Sequence, residues 1–341
     1  MPMSSRVHTR VPCHDRDMAR AKPKDRRDEL VEKSATGQAK KAAKLAAALE
    51  VAQERAAAKV APTPHRLAEL LRVGDGFSLA DVDPGSTPGF EGRKADGEAA
   101  LAAGVPRLSA LQERLWAQAR GGDSPQSVLL VLQGMDTSGK GGAVKHVVGQ
   151  VNPAGVRITG FGAPTEEERE RDFLWRIEQA LPRAGVIGVF DRSHYEDVLI
   201  VRVHDLVPPE QWEARYDRSN EWEAQLADDG VVLLKVMFHI SPEYQRERLL
   251  KRLGDPTKYW KINPGDIDER QHWNAYQLAY EVALSRCSTE VAPWYVVPAD
   301  RKWYRNLALS RLLLETLQGM DLQWPDAAGL DLEGMRKALD G

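Results

Sequence analysis

Four short apolar runs punctuate the chain: VLLVLQ from Val128, GVIGVF from Gly185, VVLLKVMFHI from Val231 and WYVVPA from Trp294. None shows a clean alternation of apolar and polar positions. Runs of this length that are apolar throughout predict strands covered on both faces. Between them the pattern changes to helical. TEEERERDFLWRIEQAL (165–181) has Thr165 as N-cap and Glu168 three residues on, a capping box that predicts one helix. PPEQWEARYDRSNEWEAQLADDG (208–230), SPEYQRERLLKRL (241–253), DIDERQHWNAYQLAYEVALSR (266–286) and KWYRNLALSRLLLETL (302–317) are helical too. A further helix starts in the glycine-rich stretch after Gln133 and runs through AVKHVVGQV. Regular alternation of strand and helix predicts an α/β fold, with a parallel sheet and helices on both faces.

Upstream, RLSALQERLWAQA (107–119) places Leu108, Leu111, Leu115 and Ala119 on one helical face. FSLADVDPGSTPGFEGRK (77–94) is rich in Pro and Gly and reads as a long loop. Residues 1–62 contain strong helix formers but a poor apolar stripe, which reads as a solvated helix or a disordered segment. The expected organisation is a basic tail (1–62), a loop-and-helix extension (63–120), a main domain (121–325) with a lid near 246–270, and a short C-terminal tail (326–341). There is no internal repeat.

Composition refines this picture. The chain has 341 residues, 42% of them apolar, and a net charge of −3. The charge is uneven: residues 1–60 hold 14 Lys/Arg against 8 Asp/Glu, and the remainder 33 against 42. An acidic body binds a polyanion only where its basic groups converge. The basic tail is taken as solubilising; its sharper alternative is an arm that touches nucleic acid or polyphosphate. The two cysteines, Cys13 and Cys287, lie far apart, so neither a disulfide framework nor a cysteine metal site is expected, and a reducing cytoplasm fits. No apolar run has signal-peptide or membrane-span length, so no membrane partner is expected.

The chemistry concentrates in LLVLQGMDTSGKGGAVKHVV. Gly134 through Gly139-Lys140 matches G-x-x-x-x-G-K between a strand and a helix. There, glycines let backbone N–H groups close around phosphate oxygens, the helix N-terminus adds partial positive charge, and Lys140 supplies a mobile cation. Ser138, Gly142 and Lys145 belong to the same phosphate-binding stretch. Gly141 stands where the motif usually puts the Ser or Thr that holds Mg2+. Asp136 lies inside the loop, where a carboxylate would repel phosphates unless a cation intervened. It is therefore read as a Mg2+ ligand, direct or through water, with a structural role bonding loop amides as the alternative.

Asp191 ends GVIGVF, the position of a Walker B acid and second metal ligand, although an Asp there can also be an N-cap. FDRSHYEDVLIVRVH groups it with Arg192, a bidentate phosphate clamp, and with Glu196, Asp197 and Arg202 as nucleotide- or phosphate-binding candidates. Glu196 and Asp197 could equally be helix-dipole partners. His194 and His204 have no zinc pattern and read as structural. QRERLLKRLGDPTKYWKINP is densely basic beside a Gly-Asp-Pro turn, as expected of a lid closing over phosphates; Arg252, Lys258 and Lys261 are its candidate contacts. Lys302 is a further residue that could face the site.

Taken together, GMDTSGKGG, FDRSHYEDVLIVRVH, RLGDPTKYWKINP and APWYVVPADRKWYRN resemble the polyphosphate kinase 2 family, over roughly residues 65–320. Gly after the loop lysine is that family's usual pattern. The resemblance implies a P-loop kinase fold with a helical lid. It also implies Mg2+-dependent, reversible phosphoryl transfer between inorganic polyphosphate and a purine nucleotide, AMP/ADP or GMP/GDP. It assigns catalysis to Asp136, Lys140, Asp191, Arg192 and Arg252. It implies a homo-oligomer, dimer or tetramer, and no nucleic-acid partner. SHYEDVL resembles the branch that phosphorylates AMP as well as ADP. Cys287 stands where that family would lead one to expect Thr, and a thiol donates poorly. The rival readings are an ATP-dependent kinase for a small metabolite and a non-catalytic nucleic-acid or polyanion binder.

Overall fold

A computed structural model describes residues 66–122, 124–325 and 330–340. The basic segment 1–62 lies outside them. Five strands form one sheet: β1 (Ser127–Gln133), β2 (Val156–Gly160), β3 (Ile187–Asp191), β4 (Val231–His239) and β5 (Trp294–Pro298). All neighbours are parallel, in the order β2-β3-β1-β4-β5. β1 is buried along its whole length, as its apolar run requires. β2 is the strand missing from the sequence reading. It is an edge strand of mixed exposure, with Ile158 55% exposed, so it lacks the two-sided apolar signature of the others.

The helices in chain order are α1 (Leu67–Leu71), α2 (Lys94–Gly121), α3 (Lys140–His146), α4 (Glu166–Arg169), α5 (Trp175–Glu178), α6 (Ile200–Val203), α7 (Pro209–Asp228), α8 (Pro242–Leu253), α9 (Gly265–Glu269), α10 (Trp273–Arg286), α11 (Lys302–Gly319) and α12 (Leu332–Asp340). α2 begins well before the periodic segment that announced it and runs for 28 residues through Pro106. It lies close on α11: a Cβ at Gly97 would come within 2.3 Å of the Trp303 ring.

Two expected helices are broken. The capping box over 165–168 forms as read: the Glu168 N–H donates to Thr165 Oγ1 (3.2 Å) and the Thr165 N–H to Glu168 Oε2 (2.9 Å). The chain then stops at Arg169 and restarts in α5, because the Asp172 carboxylate and carbonyl accept from the N–H groups of Leu174 and Trp175. Likewise 266–286 divides into α9 and α10 around a short tight turn at 270–272.

The single charge in the apolar run of β4, Lys235, is fully buried. Its ammonium pairs with the equally buried Glu223 of α7 and donates to Tyr195 Oη (2.9 Å) and to the Cys287 carbonyl (2.7 Å). Tyr195 in turn donates to Glu223 Oε1 (2.9 Å). Cys287 thus contributes its backbone, while its buried thiol is pushed up to about 12 by desolvation. Burial alone would raise the Glu223 carboxyl, but Lys235 and His194 outweigh it and hold the group below its ordinary value.

A lowered carboxyl contributes stability that is present above its ordinary value and is lost as pH falls through the folded one. Lys235→Met reverses the sign. Burial becomes the dominant influence on Glu223, its folded value rises, and stability falls as pH rises. Urea unfolding should show a loss of about 3–5 kcal/mol at neutral pH that shrinks toward pH 4. A deficit independent of pH would remove the ion pair from the account.

Candidate active site

Between β1 and α3 the backbone turns through conformations that only certain residues tolerate. Gly134 has φ +142° and Gly139 φ +100°. A Cβ at Gly134 would lie 2.6 Å from the Phe238 carbonyl oxygen, and one at Gly139 1.7 Å from Arg305 Nη1. Thr137 (φ +66°) and Arg192 (φ +68°) also occupy the left-handed region, without being glycine. Such strain, about 1–3 kcal/mol each, gathers where geometry serves a site.

The loop is supported from below by Arg305 of α11. It is 3% exposed, donates through Nη1 to the Ser138 carbonyl (3.0 Å), and is lowered by burial to about 10. This residue was not read from the sequence as functional. Its signal was an arginine one turn before Ala308 and Leu309, in line with the buried face of the helix.

Lys140 is largely buried, and its Nζ reaches back to the Gly134 carbonyl (2.8 Å). The Asp136 carboxylate accepts from Arg192 Nη2 (2.9 Å), and its backbone carbonyl accepts from Gln245 (3.1 Å). Asp191 sits at the carboxyl end of β3, opposite Leu132 of β1. Burial opposes the Arg192 charge, but Glu196 and Asp136 outweigh it and hold the guanidinium above its ordinary value. Burial raises Glu196, tempered by Arg192 and Lys140.

These residues open onto a cleft of about 1490 Å³. It brings together Asp136, Gly139, Lys140, Gly141 and Gly142 of the loop with Asp191 and Arg192 of the strand end. Arg252, Lys258 and Lys261 line it from the far wall. Eleven Lys/Arg line the cleft against six Asp/Glu, so the acidic body does concentrate positive charge at one place. Arg252 is paired with Asp266 (3.2 Å), whose carboxyl is raised by burial and by Asp136.

The other candidates lie outside the cleft lining. Gly134 and Ser138 form the buried floor of the loop, and Lys145 points to solvent from α3. Glu196 stands behind Arg192. Asp197 is ion-paired with Arg215 (3.0 Å), and Arg202 donates to Tyr216 Oη (3.3 Å) and stacks over Trp212. His194 is buried beside Glu223, and His204 bonds Glu269 (3.0 Å).

The donor set suits a hard divalent cation. Asp136 and Asp191 bring two carboxylates to one cleft, and the Asp191 carboxylate has no side-chain partner among the described residues. Among those residues no three His, Cys, Asp or Glu are grouped to cage a metal. A cation that keeps its waters and shares substrate oxygens needs no such cage.

A family model for polyphosphate kinase 2 matches residues 92–325, which span the loop, the strand-end acid and the basic wall. The chain belongs to the polyphosphate kinase 2 family. It is 49% identical over 249 residues to an AMP/ADP-polyphosphate phosphotransferase of Meiothermus ruber, covering 73% of this chain and 91% of the relative. An ADP-polyphosphate phosphotransferase of Rhodopseudomonas palustris is 39% identical over 296 residues, 82% of this chain and 99% of the relative. The crystal structure of polyphosphate kinase 2 from Arthrobacter aurescens TC1 superposes with a TM-score of 0.79 at 52% identity, covering 81% of this chain and 97% of that one. Family and superposition together assign the P-loop kinase fold, an α/β sheet with helices.

The loop's sterics separate two neighbouring glycines. Gly139→Ala forces a Cβ into Arg305 at a positive φ and should lower turnover by about 100-fold through displacement of the loop. At Gly141 a Cβ meets no protein atom within 4 Å. Gly141→Ala should therefore leave the melting temperature unchanged or slightly raised, since alanine favours the helix by about 0.5–1 kcal/mol. Thermal unfolding and turnover of the two variants side by side check this.

Proposed function

We propose that the chain transfers the terminal phosphoryl group of inorganic polyphosphate to AMP or ADP, or to the guanine equivalents, with Mg2+, and runs the reverse reaction at the same site. The observation that supports this best is one cleft lined by Asp136, Lys140, Asp191, Arg192 and Arg252. A terminal phosphate oxygen of the nucleotide attacks the end phosphorus of the polyphosphate in line. The new P–O bond forms as the bridging P–O bond to the rest of the chain breaks, and the shortened polyphosphate leaves with the electron pair. Lys140, Arg192 and Arg252 meet the charge that spreads over the equatorial oxygens. Arg192 and Arg252 are held by Asp136 and Asp266, so each exchanges a carboxylate for phosphate oxygens as substrate enters. Mg2+ held by Asp136 and Asp191 would neutralise phosphate charge. The acceptor oxygen is already ionised, so no general base is assigned.

The Meiothermus ruber relative acts on both AMP and ADP by its name, which supports both acceptors here. A homo-oligomer, dimer or tetramer, and a cytoplasmic location accompany this reading. No helix among the described residues is long and apolar enough to cross a membrane.

Incubation with AMP or ADP, Mg2+ and polyphosphate, without ATP, should yield new nucleoside phosphates. Their absence, with activity only on ATP and a small metabolite, would replace this function with that of a conventional kinase. Lys140→Ala should cut turnover by about 100- to 1000-fold with the fold intact. Asp136→Asn should move the Mg2+ titration to higher concentration; an unmoved titration would make Asp136 structural.

A further inference from the structure

No residue between Gln245 and Tyr276 is buried. That stretch holds most of α8, all of α9 and the short turns around them, and it brings Arg252, Lys258 and Lys261 to the cleft. Its apolar support is the half-buried Trp273, close to its end. A segment with so little buried surface is placed by its polar contacts and opens readily when they are lost.

Within the segment, Arg252 donates to Asp266 (3.2 Å) and to the Lys261 carbonyl (3.3 Å). These bonds fold the segment on itself and leave it free of the body. Among the described residues, its side-chain ties to the body converge on two adjacent positions. Arg270 donates to the Pro242 carbonyl (3.0 Å) and to Gln245 Oε1 (2.8 Å), and the buried Gln245 donates onward to the Asp136 carbonyl (3.1 Å). Glu269 accepts from Tyr276 Oη (2.7 Å) and lies 3.0 Å from Nε2 of His204, at the end of α6. Burial and the bond to Glu269 raise the Tyr276 phenol above its ordinary value, which keeps its proton available for donation. The His272 ring packs on His204, with centroids 4.8 Å apart. Glu269 and Arg270 thus clasp the segment to the two buried residues that bound it. Glu269, Arg270, His204 and Tyr276 are not among the residues lining the cleft. Asp266, which holds Arg252, lies about one helical turn before Glu269 on α9.

We propose that Glu269, held by Tyr276 and His204, is a positioning residue: it fixes α9 and, through Asp266, sets Arg252 for the phosphate in transfer. This role rests on the polyphosphate-dependent function proposed above. It adds to that function a clasp outside the cleft that decides where one of the cleft's cations stands. Because Glu269 stands away from the cleft lining, its loss falls on turnover rather than on the binding of either substrate.

The test uses the full chain with ADP, Mg2+ and long-chain polyphosphate. Glu269→Gln and Tyr276→Phe should each lower kcat about tenfold, with the KM for both substrates within about twofold of wild type. His204→Ala should lower kcat less, and His204→Gln, which keeps a donor, should lie closer to wild type. In an Arg252→Gln background, Glu269→Gln should change kcat by less than about twofold, since it acts through Arg252. Amide hydrogen exchange should quicken about tenfold in Glu269→Gln within residues 254–270 and stay unchanged elsewhere. Full additivity with Arg252→Gln, or faster exchange throughout the chain, would make Glu269 a general support of the fold and overturn the proposal. An unchanged kcat, or a rise in either KM, would overturn it too. His204 is partly exposed, so its variants report even if Tyr276→Phe does not fold. A wild-type chain that makes no nucleoside phosphate from polyphosphate would remove the function itself, and the positioning role with it.

Discussion

A lysine ammonium in the middle of a parallel sheet has no water to turn to, and that constraint organises much of this molecule. Lys235 satisfies itself with a carboxylate from α7, a phenol from the segment after β3, and a main-chain carbonyl at the end of α10. Removing either charged partner leaves the other stranded at several kcal/mol. The sheet, α7, α10 and the 193–198 turn are therefore bound to one arrangement. That turn carries Tyr195 and begins immediately after Arg192, so the position of Arg192 is tied to the ion pair. Lys235 is not among the residues lining the cleft, yet its partners include Tyr195 of the turn that follows Arg192.

Above that floor, two arginines proposed to meet phosphate are held in ion pairs. Arg192 rests on Asp136, and Arg252 on Asp266. Two such pairs in one cleft let a strongly basic site exist within an acidic protein without the self-repulsion that unpaired guanidinium groups would impose. Arg248, Lys302 and Arg305, which line the same cleft, have no such carboxylate partner among the described residues.

What could be read from the sequence was what local chemistry dictates. The glycine loop, Lys140, the strand-end Asp191 and the four buried strands each carry their signal within a few neighbouring residues. β2 carried none, because an edge strand with polar residues on its open side resembles a loop. The break after Arg169 came from the Asp172 side chain competing for backbone N–H groups, a choice invisible in the helical periodicity around it. Arg305 was hidden for another reason. Its role depends on α11 passing beneath a loop more than 160 residues earlier, and only the tertiary fold turns a helix-core arginine into support for Ser138. Asp197 and Arg202 show the converse: they neighbour the clamp in sequence, but the turn directs them toward α7.

Helix α2 ties distant parts of the molecule together. At about 1.5 Å per residue, its 28 residues span roughly 42 Å. Near one end Lys94 and Glu98 border the cleft mouth; near the other Ala119 presses on Gly185 at the start of β3, at the opposite edge of the sheet. Between them, the Gln112 side chain accepts from the Asn152 N–H (3.1 Å). Such a strut makes one rim of the cleft an extension of the sheet's own framework. The facing rim, formed by α8 and the basic segment after it, has no comparable strut running back to the sheet's far end among the described residues.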